Sequence, residues 1–336
     1  MKSKALSLLS DYGLFIILIA LIALSALLSP LFFTAANLKN FISQASYNGI
    51  LAVGMTFVIL IGGIDLSVGS IVGFASILYG SLMHGNFFTF MPNEIFIYKG
   101  APVLTPALPL PLDIIFVLLV GALLGFITGS ISRRFRIHSF IVSLCMMIFV
   151  RGLAVSYTNG QPLFGVPDPV SYLAYGELFG IPMPALIWLI ICIAAIWLLK
   201  YTRFGRRIYA VGGDEVAARL SGIQPSLYQV FPLIVSGVLA AAVGVIMSGR
   251  MGCGDPKIGD GWQTDAIAAV VIGGASLSGG RGGIGGTVIG VLIMGLINNV
   301  MNLLEIDAYP QQMAKGIIIL AALAIQGIFT ARNSND

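Results

Sequence analysis

The chain has 336 residues, 57% of them hydrophobic and 10% charged, with a formal net charge of +4. A soluble domain carries about a quarter charged residues, so there is too little polar surface here to cover a water-soluble particle. The basic excess does not point to nucleic acid, because Lys and Arg sit in short loops between apolar runs, where such charge reports membrane topology.

Runs approaching the roughly 20 apolar residues that cross a bilayer predict spans at about 12–30, 47–63, 66–83, 112–131, 139–157, 183–199, 229–248, 266–279, 285–304 and 312–330. The expected fold is an all-α polytopic membrane protein, one transmembrane domain over 1–336 with about ten helices. Lys2 and Lys4 precede the first run as in a signal peptide. The run from Tyr12 to Leu28 is long enough to span and no small-residue cleavage site leads into a soluble domain, so it reads as an uncleaved first helix. Ten spans put both termini on one side. With the termini in the cytoplasm, twelve basic residues fall inside (Lys2, Lys4, Arg133, Arg134, Arg136, Lys200, Arg203, Arg206, Arg207, Arg219, Arg281, Arg332) and four outside (Lys39, Lys99, Arg250, Lys257). That asymmetry selects cytoplasmic termini.

Between the second and third runs lies GGIDLSVGS, Gly62 to Ser70. Asp65 is the only Asp, Glu, Lys or Arg between Asn40 and Asn93. At a helix break it can cap the following span, accepting from the amides of Ser67 and Val68, with Ser67 and Ser70 adding local bonds. Residues 84–111, with five prolines in MPNEIFIYKGAPVLTPALPLP, read as an extended outer loop. Residues 200–228 form the largest inner loop. Within it Gly212-Gly213-Asp214-Glu215 reads as a turn and helix start, Val216 to Leu220 as a short helix, and Gly222 and Pro225 as its stop. Such a helix suits docking; a solvated connector is the plainer alternative.

The chain also resembles itself. VILIGGIDLSVG from Val58 aligns with AVVIGGASLSGG from Ala269, so Ser276 and Ser278 stand where Asp65 and Ser67 do. Transporters commonly place their sites at interrupted helices in such repeats, and an offset of six spans would make this repeat parallel. The run from Gly280 to Gly285 matches GxGxxG, but it follows no soluble strand and no acid stands about 20 residues on; as a P-loop it lacks the lysine, which is Gly286. The better reading is close helix packing, with Gly282, Gly286 and Gly290 on one face and Gly121, Gly125 and Gly129 on another.

No hydrolytic or metal-binding constellation appears: His84 and His138 fall on opposite sides, and Cys145, Cys192 and Cys253 have no ligand or disulfide spacing. Ion-coupled carriers usually need charges at membrane depth. Here Asp65 and Asp265 sit at span ends, Lys315 near one, and Arg151 alone lies well inside a span. A pore driven by a separate ATPase fits that scarcity; an ion-coupled carrier or channel for a small polar solute is the alternative.

AVGMTFVILIGGIDLSVGS, YTNG, YAVGGDEVAARLSGI, DAIAAVVIGGASLSGG and NNVMNLL, in that order, resemble the ribose-type sugar permease subunit of bacterial ABC importers, over about Leu31 to Leu323. That family serves ribose, xylose, arabinose, galactose, inositol and a furanose-like signalling molecule. The resemblance implies an inner-membrane permease without cofactor or catalytic site. Its partners would be a second permease chain, identical or paralogous, cytosolic ABC ATP-binding subunits and a periplasmic sugar-binding protein. It also implies that Gly212 to Gly222 is the coupling segment that meets the ATPase, through Gly212, Gly213, Asp214, Glu215, Ala218, Arg219 and Leu220. Where the family has an aromatic, a glutamate and a leucine before Asp265, this chain has Trp262, Gln263 and Thr264. The repeat loops, with Asp65, Ser67, Ser70, Asp265, Ser276 and Ser278, are candidates for the sugar path or gate. For Asp65 a cap, a sugar contact and an ATPase contact all stay open.

Overall fold

The computed structural model describes residues 2–83, 110–165 and 168–333. The expected outer loop 84–111 lies almost wholly outside them. In chain order the elements are α1 (Lys2–Leu28), α2 (Ala35–Leu60), α3 (Val68–Met83), α4 (Leu110–Phe135), α5 (Ser139–Thr158), β1 (Leu163–Phe164), α6 (Asp168–Tyr175), β2 (Glu177–Leu178), β3 (Ile181–Pro182), α7 (Met183–Tyr201), α8 (Arg203–Gly213), α9 (Glu215–Leu220), α10 (Pro225–Met251), β4 (Cys253–Gly254), α11 (Trp262–Ile272), α12 (Ile284–Leu303) and α13 (Ala308–Asn333). Each of the ten apolar runs overlaps one helix. Among the described residues, α2, α4, α5, α7, α10 and α12 are long and apolar enough to cross a membrane. The strands are two-residue antiparallel pairs, β1 with β4 and β2 with β3.

Two predicted boundaries are corrected. The second helix begins at Ala35, twelve residues before the apolar run, because Thr34 caps it by accepting from Asn37 N (3.4 Å). Its polar first half (Asn37, Lys39, Asn40, Gln44, Asn48) hides the helix from a hydropathy reading. The span expected at 266–279 instead stops at Ile272. Gly274, Gly279 and Gly280 all have positive φ, which a helix does not permit, so 273–283 is a loop.

The middle of the protein is α3, every residue of which is buried, packed among α10, α5 and α4. Large apolar side chains such as Leu119, Ile148, Phe149, Ile190 and Trp197 are exposed instead, as expected of helices whose solvent is lipid. Small residues bring helices close. On α4, a Cβ at Gly121 or Gly125 would overlap the carbonyls of Gly237 or Leu233 on α10. On α12, Gly286 and Gly290 do the same against Gly273 and Ala269 at the end of α11. Gly282, expected to share that face, precedes the helix at φ +127° and faces Ala275 from the loop.

Overpacking a close contact costs about 1–3 kcal/mol. Gly125→Ala should therefore lower the thermal midpoint of the protein in lipid nanodiscs. Gly152→Ala, with open space around its Cβ position inside α5, should leave it unchanged or raise it, since alanine is favoured over glycine in a helix interior. Equal midpoints for the two variants would contradict backbone contact between α4 and α10.

Candidate functional site

The break between α2 and α3 is irregular backbone enclosed by protein. Ile64 N donates to Ser139 Oγ (3.2 Å) and Leu66 N to Ser143 Oγ (3.1 Å), while Ser143 Oγ lies 3.1 Å from the Ile64 carbonyl. Serines on the first two turns of α5 thus replace the missing helical partners. Asp65 is 1% exposed. Its Oδ1 accepts from Ser67 N (2.9 Å) and Ser67 Oγ (2.6 Å), and its Oδ2 accepts from Ser236 Oγ on α10 (2.7 Å). The expected cap exists in the Ser67 amide, and Ser67 O receives the first helical bond from Ile71 N (2.9 Å). The hydroxyl of Ser70, expected to add a local bond, has no hydrogen-bond partner among the described residues. The Ser236 bond, spanning 171 residues, is beyond the reach of sequence reading.

The two repeat copies close alike. Gly62 N and Gly63 N donate to Ile59 O and Val58 O (both 2.9 Å); Gly274 N and Ala275 N donate to Val271 O (2.9 Å) and Val270 O (3.2 Å). The left-handed glycine is Gly62 in one and Gly274 in the other, one residue later than the sequence alignment places it. The copies also meet. Gly280 N donates to Leu60 O (2.9 Å), and a Cβ at Gly62 would stand 3.3 Å from Ser278 O. Into the same point comes Gly212, the end of α8: a Cβ there would overlap Leu60 O, and one at Gly279 would stand 2.5 Å from Gly212 O. Tyr209 Oη adds a bond to Gly282 O (2.9 Å). Ser276 and Ser278 pair hydroxyl to hydroxyl (2.8 Å) in this loop.

Helix α8 was missed at the sequence level. Its signal is the buried series Gly205, Ile208, Val211 and Gly212, with arginines between. Asp214 then ends α8 and starts α9: its Oδ1 accepts from Val216 N (2.8 Å) and Ala217 N (2.9 Å). Glu215 is clasped by Arg133 on α4 (2.9 Å), Arg219 (2.7 Å) and Gln229 on α10 (2.8 Å). Ala218 faces inward, whereas Val216 and Leu220 are 68% and 84% exposed on one side. Between α9, the end of α4 and the Gly62–Gly63 turn lies a cavity of about 690 Å³, with Arg136, His138 and Ser139 in its wall. Burial by itself would raise the pKa of Glu215. The hydrogen bonds from Gln229, Arg133 and Arg219 outweigh it and hold the carboxyl below its ordinary range.

Asp265 is not part of this constellation. It sits in the first turn of α11, eight residues before Gly273 or roughly 12 Å at helical rise, and pairs with Lys315 of α13 (2.8 Å). Gln263 donates to Met147 Sδ (3.7 Å). Arg151 donates to the carbonyls of Pro256, Ile258 (3.2 Å) and Gly69 (3.2 Å), fastening the loop after β4 to α3.

Residues 37–323 match the model of the family described as branched-chain amino acid transport system / permease component. The chain belongs to this permease family. Among its relatives are the ribose import permease proteins of Haemophilus influenzae (43% identical, covering 92% of this chain and 90% of that one) and Bacillus subtilis (39%, covering 93% and 91%). The D-allose transport system permease protein of Escherichia coli K12 is 34% identical, covering 95% of this chain and 92% of its own. No solved structure matches the permease. The permease is thus a transport subunit of the bacterial inner membrane, of a family that works with ATPase and binding-protein partners, and the ion-coupled carrier is not favoured.

Three outcomes are expected. Ser236→Ala leaves a buried carboxylate oxygen short of a donor, a loss of about 1–3 kcal/mol, and should lower the thermal midpoint in nanodiscs. Asp65→Asn keeps an acceptor for Ser67 and should keep subunit assembly while lowering transport, read in proteoliposomes; a wild-type rate would detach Asp65 from function. Because the pKa of Glu215 is lowered on folding, its clasp contributes fully above the unfolded value of about 4.3. That contribution is lost only as pH falls through the lower folded value. Glu215→Gln should therefore reduce transport by the same factor across about pH 6–8; a defect that varies over that interval would contradict an ionised Glu215.

Proposed function

We propose that this permease is the membrane-spanning subunit of an ATP-driven, binding-protein-dependent importer of a neutral monosaccharide, ribose or a close relative. The family description mentions branched-chain amino acids, but relatives aligned over more than nine-tenths of the chain are named for ribose and allose. In this reading α1–α5, α7 and α10–α13 cross the bilayer and both termini are cytosolic. Residues 200–228 face the ATPase, 84–111 face the periplasm, and a second permease chain completes the pore. The permease has no catalytic site of its own, and hydrolysis belongs to the partner.

The observation that carries the reading is the junction of Leu60, Gly212 and Gly280. Helix α9 offers Val216 and Leu220 outward, an apolar pair at i, i+4 that a groove on another subunit can take. Its inward side is locked by the Glu215 clasp, and α8 ends against the carbonyl end of α2 and the loop after α11. A shift of α9 cannot be absorbed by side chains there, because backbone touches backbone. It passes to α2 and α11, and alternating access follows from their movement.

The reading is tested by crosslinking the permease in native membranes and identifying what is recovered. Recovery of an ATPase and a periplasmic binding protein supports it; recovery of the chain alone, where it is abundant, overturns it. The double substitution Asp214→Arg with Glu215→Arg should remove the α9 cap and reverse the clasp. We expect ATP-dependent uptake in proteoliposomes to fall at least tenfold. Normal uptake and normal ATPase binding would exclude the coupling role of α9.

A further inference from the structure

At the end of the protein opposite the Gly212 junction, α2, α10, α11, α12 and α13 surround a second cavity of about 400 Å³. Its wall is unlike the rest of this apolar chain. Gln44 and Asn48 of α2 and Asn298, Asn299 and Asn302 of α12 line it, with Gln311 of α13. The three asparagines of α12 follow from NNVMNLL, whose spacing places them around successive turns at the end of the helix. Trp262 supplies a flat aromatic wall. The volume lies within the range of about 300–1,000 Å³ found for small-molecule sites.

Part of this polar set is internally satisfied and part is not. Asn37 and Asn299 exchange amide bonds (2.8 and 3.1 Å), and Gln311 donates to Asn302 Oδ1 (2.8 Å). Among the charged groups in the wall, Asp265 holds Lys315, and Arg250 lies over the Tyr47 ring at 5.1 Å and donates to Asn40 Oδ1 (3.3 Å). Asn298 Oδ1, by contrast, is buried without a hydrogen-bond partner among the described residues. A buried acceptor of this kind calls for a donor, and the same cavity is lined by two further side-chain amides, those of Gln44 and Asn48, that offer both donor and acceptor.

We propose that this cavity is a monosaccharide-receiving site of the permease itself, and the inference rests on the sugar-importer reading above. Each hydroxyl of a sugar is both donor and acceptor, which is the complement of a side-chain amide. A neutral ligand does not have to separate the Asp265–Lys315 pair. An amino acid would bring a carboxylate and an ammonium group that compete with that pair, and its branched apolar tail would face amides. The ligand class is therefore a neutral aldopentose or aldohexose, bound weakly, on the order of millimolar. The site is walled by the far end of α2, whose other end meets Gly212 and Gly280, and by the far ends of α11 and α12, whose other ends flank the loop that carries Gly280, so occupancy and coupling address the same helices.

The test uses the full-length permease in lipid nanodiscs and saturation-transfer difference NMR with D-ribose, D-allose and L-leucine as separate probes. Asn298→Leu removes the orphan acceptor. Gln44→Leu, at an exposed position of α2 that tolerates change, is the second variant, and both are checked for an unaltered gel-filtration profile. We expect sugar signals with the wild type, none with L-leucine, and at least a tenfold loss of sugar signal in each folded variant. Sugar signals absent from the wild type, or equal in wild type and both variants, would overturn the site. Signals from L-leucine that the substitutions abolish would overturn the ligand class. Uptake by the complete importer with its ATPase and binding protein separates the two levels. If the complex carries sugar while the cavity fails the test, the site is wrong and the importer reading stands; if the complex carries no sugar, both fall.

Discussion

Hydrocarbon offers no hydrogen-bond partners, so every backbone amide and carbonyl at membrane depth must be satisfied inside the protein. The segment from Ile61 to Ser67 is where this chain meets that constraint without a helix. Four serines resolve it: Ser139 and Ser143 stand in for the missing helical partners of Ile64 and Leu66, and Ser67 and Ser236 hold the carboxylate of Asp65. Because Ser67 immediately precedes α3 while Ser139 and Ser143 lie on α5 and Ser236 on α10, satisfying the break also fixes how three helices pack against it. The centrally buried α3 depends on that arrangement.

The other devices of the fold bring backbone against backbone. Glycines on α4 and α12 let neighbouring helices approach to within the space a Cβ would fill, and the same device joins Leu60, Gly212 and Gly280. Contacts of this kind are stiff, since no rotamer can relieve a displacement. A surface helix such as α9 becomes mechanically relevant only through such a contact. The clasp of Glu215 between Arg133, Arg219 and Gln229 keeps α9 registered on α4 and α10.

The two ends of the protein therefore differ in chemistry. One is basic and glycine-rich, with an exposed apolar pair on a capped helix. The other is lined by amides, with Asp265 paired to Lys315. Arg151 and Asp265, which stand out in the sequence as charges in or near apolar spans, are both engaged in holding the second end together. Asp65, which stands out most, belongs to the first.

Much of this was legible in the sequence. Apolar runs located the helices, because burial in lipid leaves a one-dimensional record. The Asp214 cap and the stop at Gly222 were legible because capping is a contact within a few residues. The break at Asp65 was legible because only a local device explains an acid there. Helix α8 escaped because its apolar positions are few and its arginines dominate its composition. The polar start of α2 escaped for the same reason, and the end of α11 was overrun because hydropathy does not register positive φ. What only the tertiary structure decided is which distant group completes each local one: Ser236 for Asp65, Lys315 for Asp265, Gly280 for Leu60, and the amides of α2 and α12 across one cavity. A sequence records how each residue sits relative to its own helix. The partner of a lone pair is chosen by how helices cross, and that is set jointly by glycine faces and hydrogen bonds far apart along the chain.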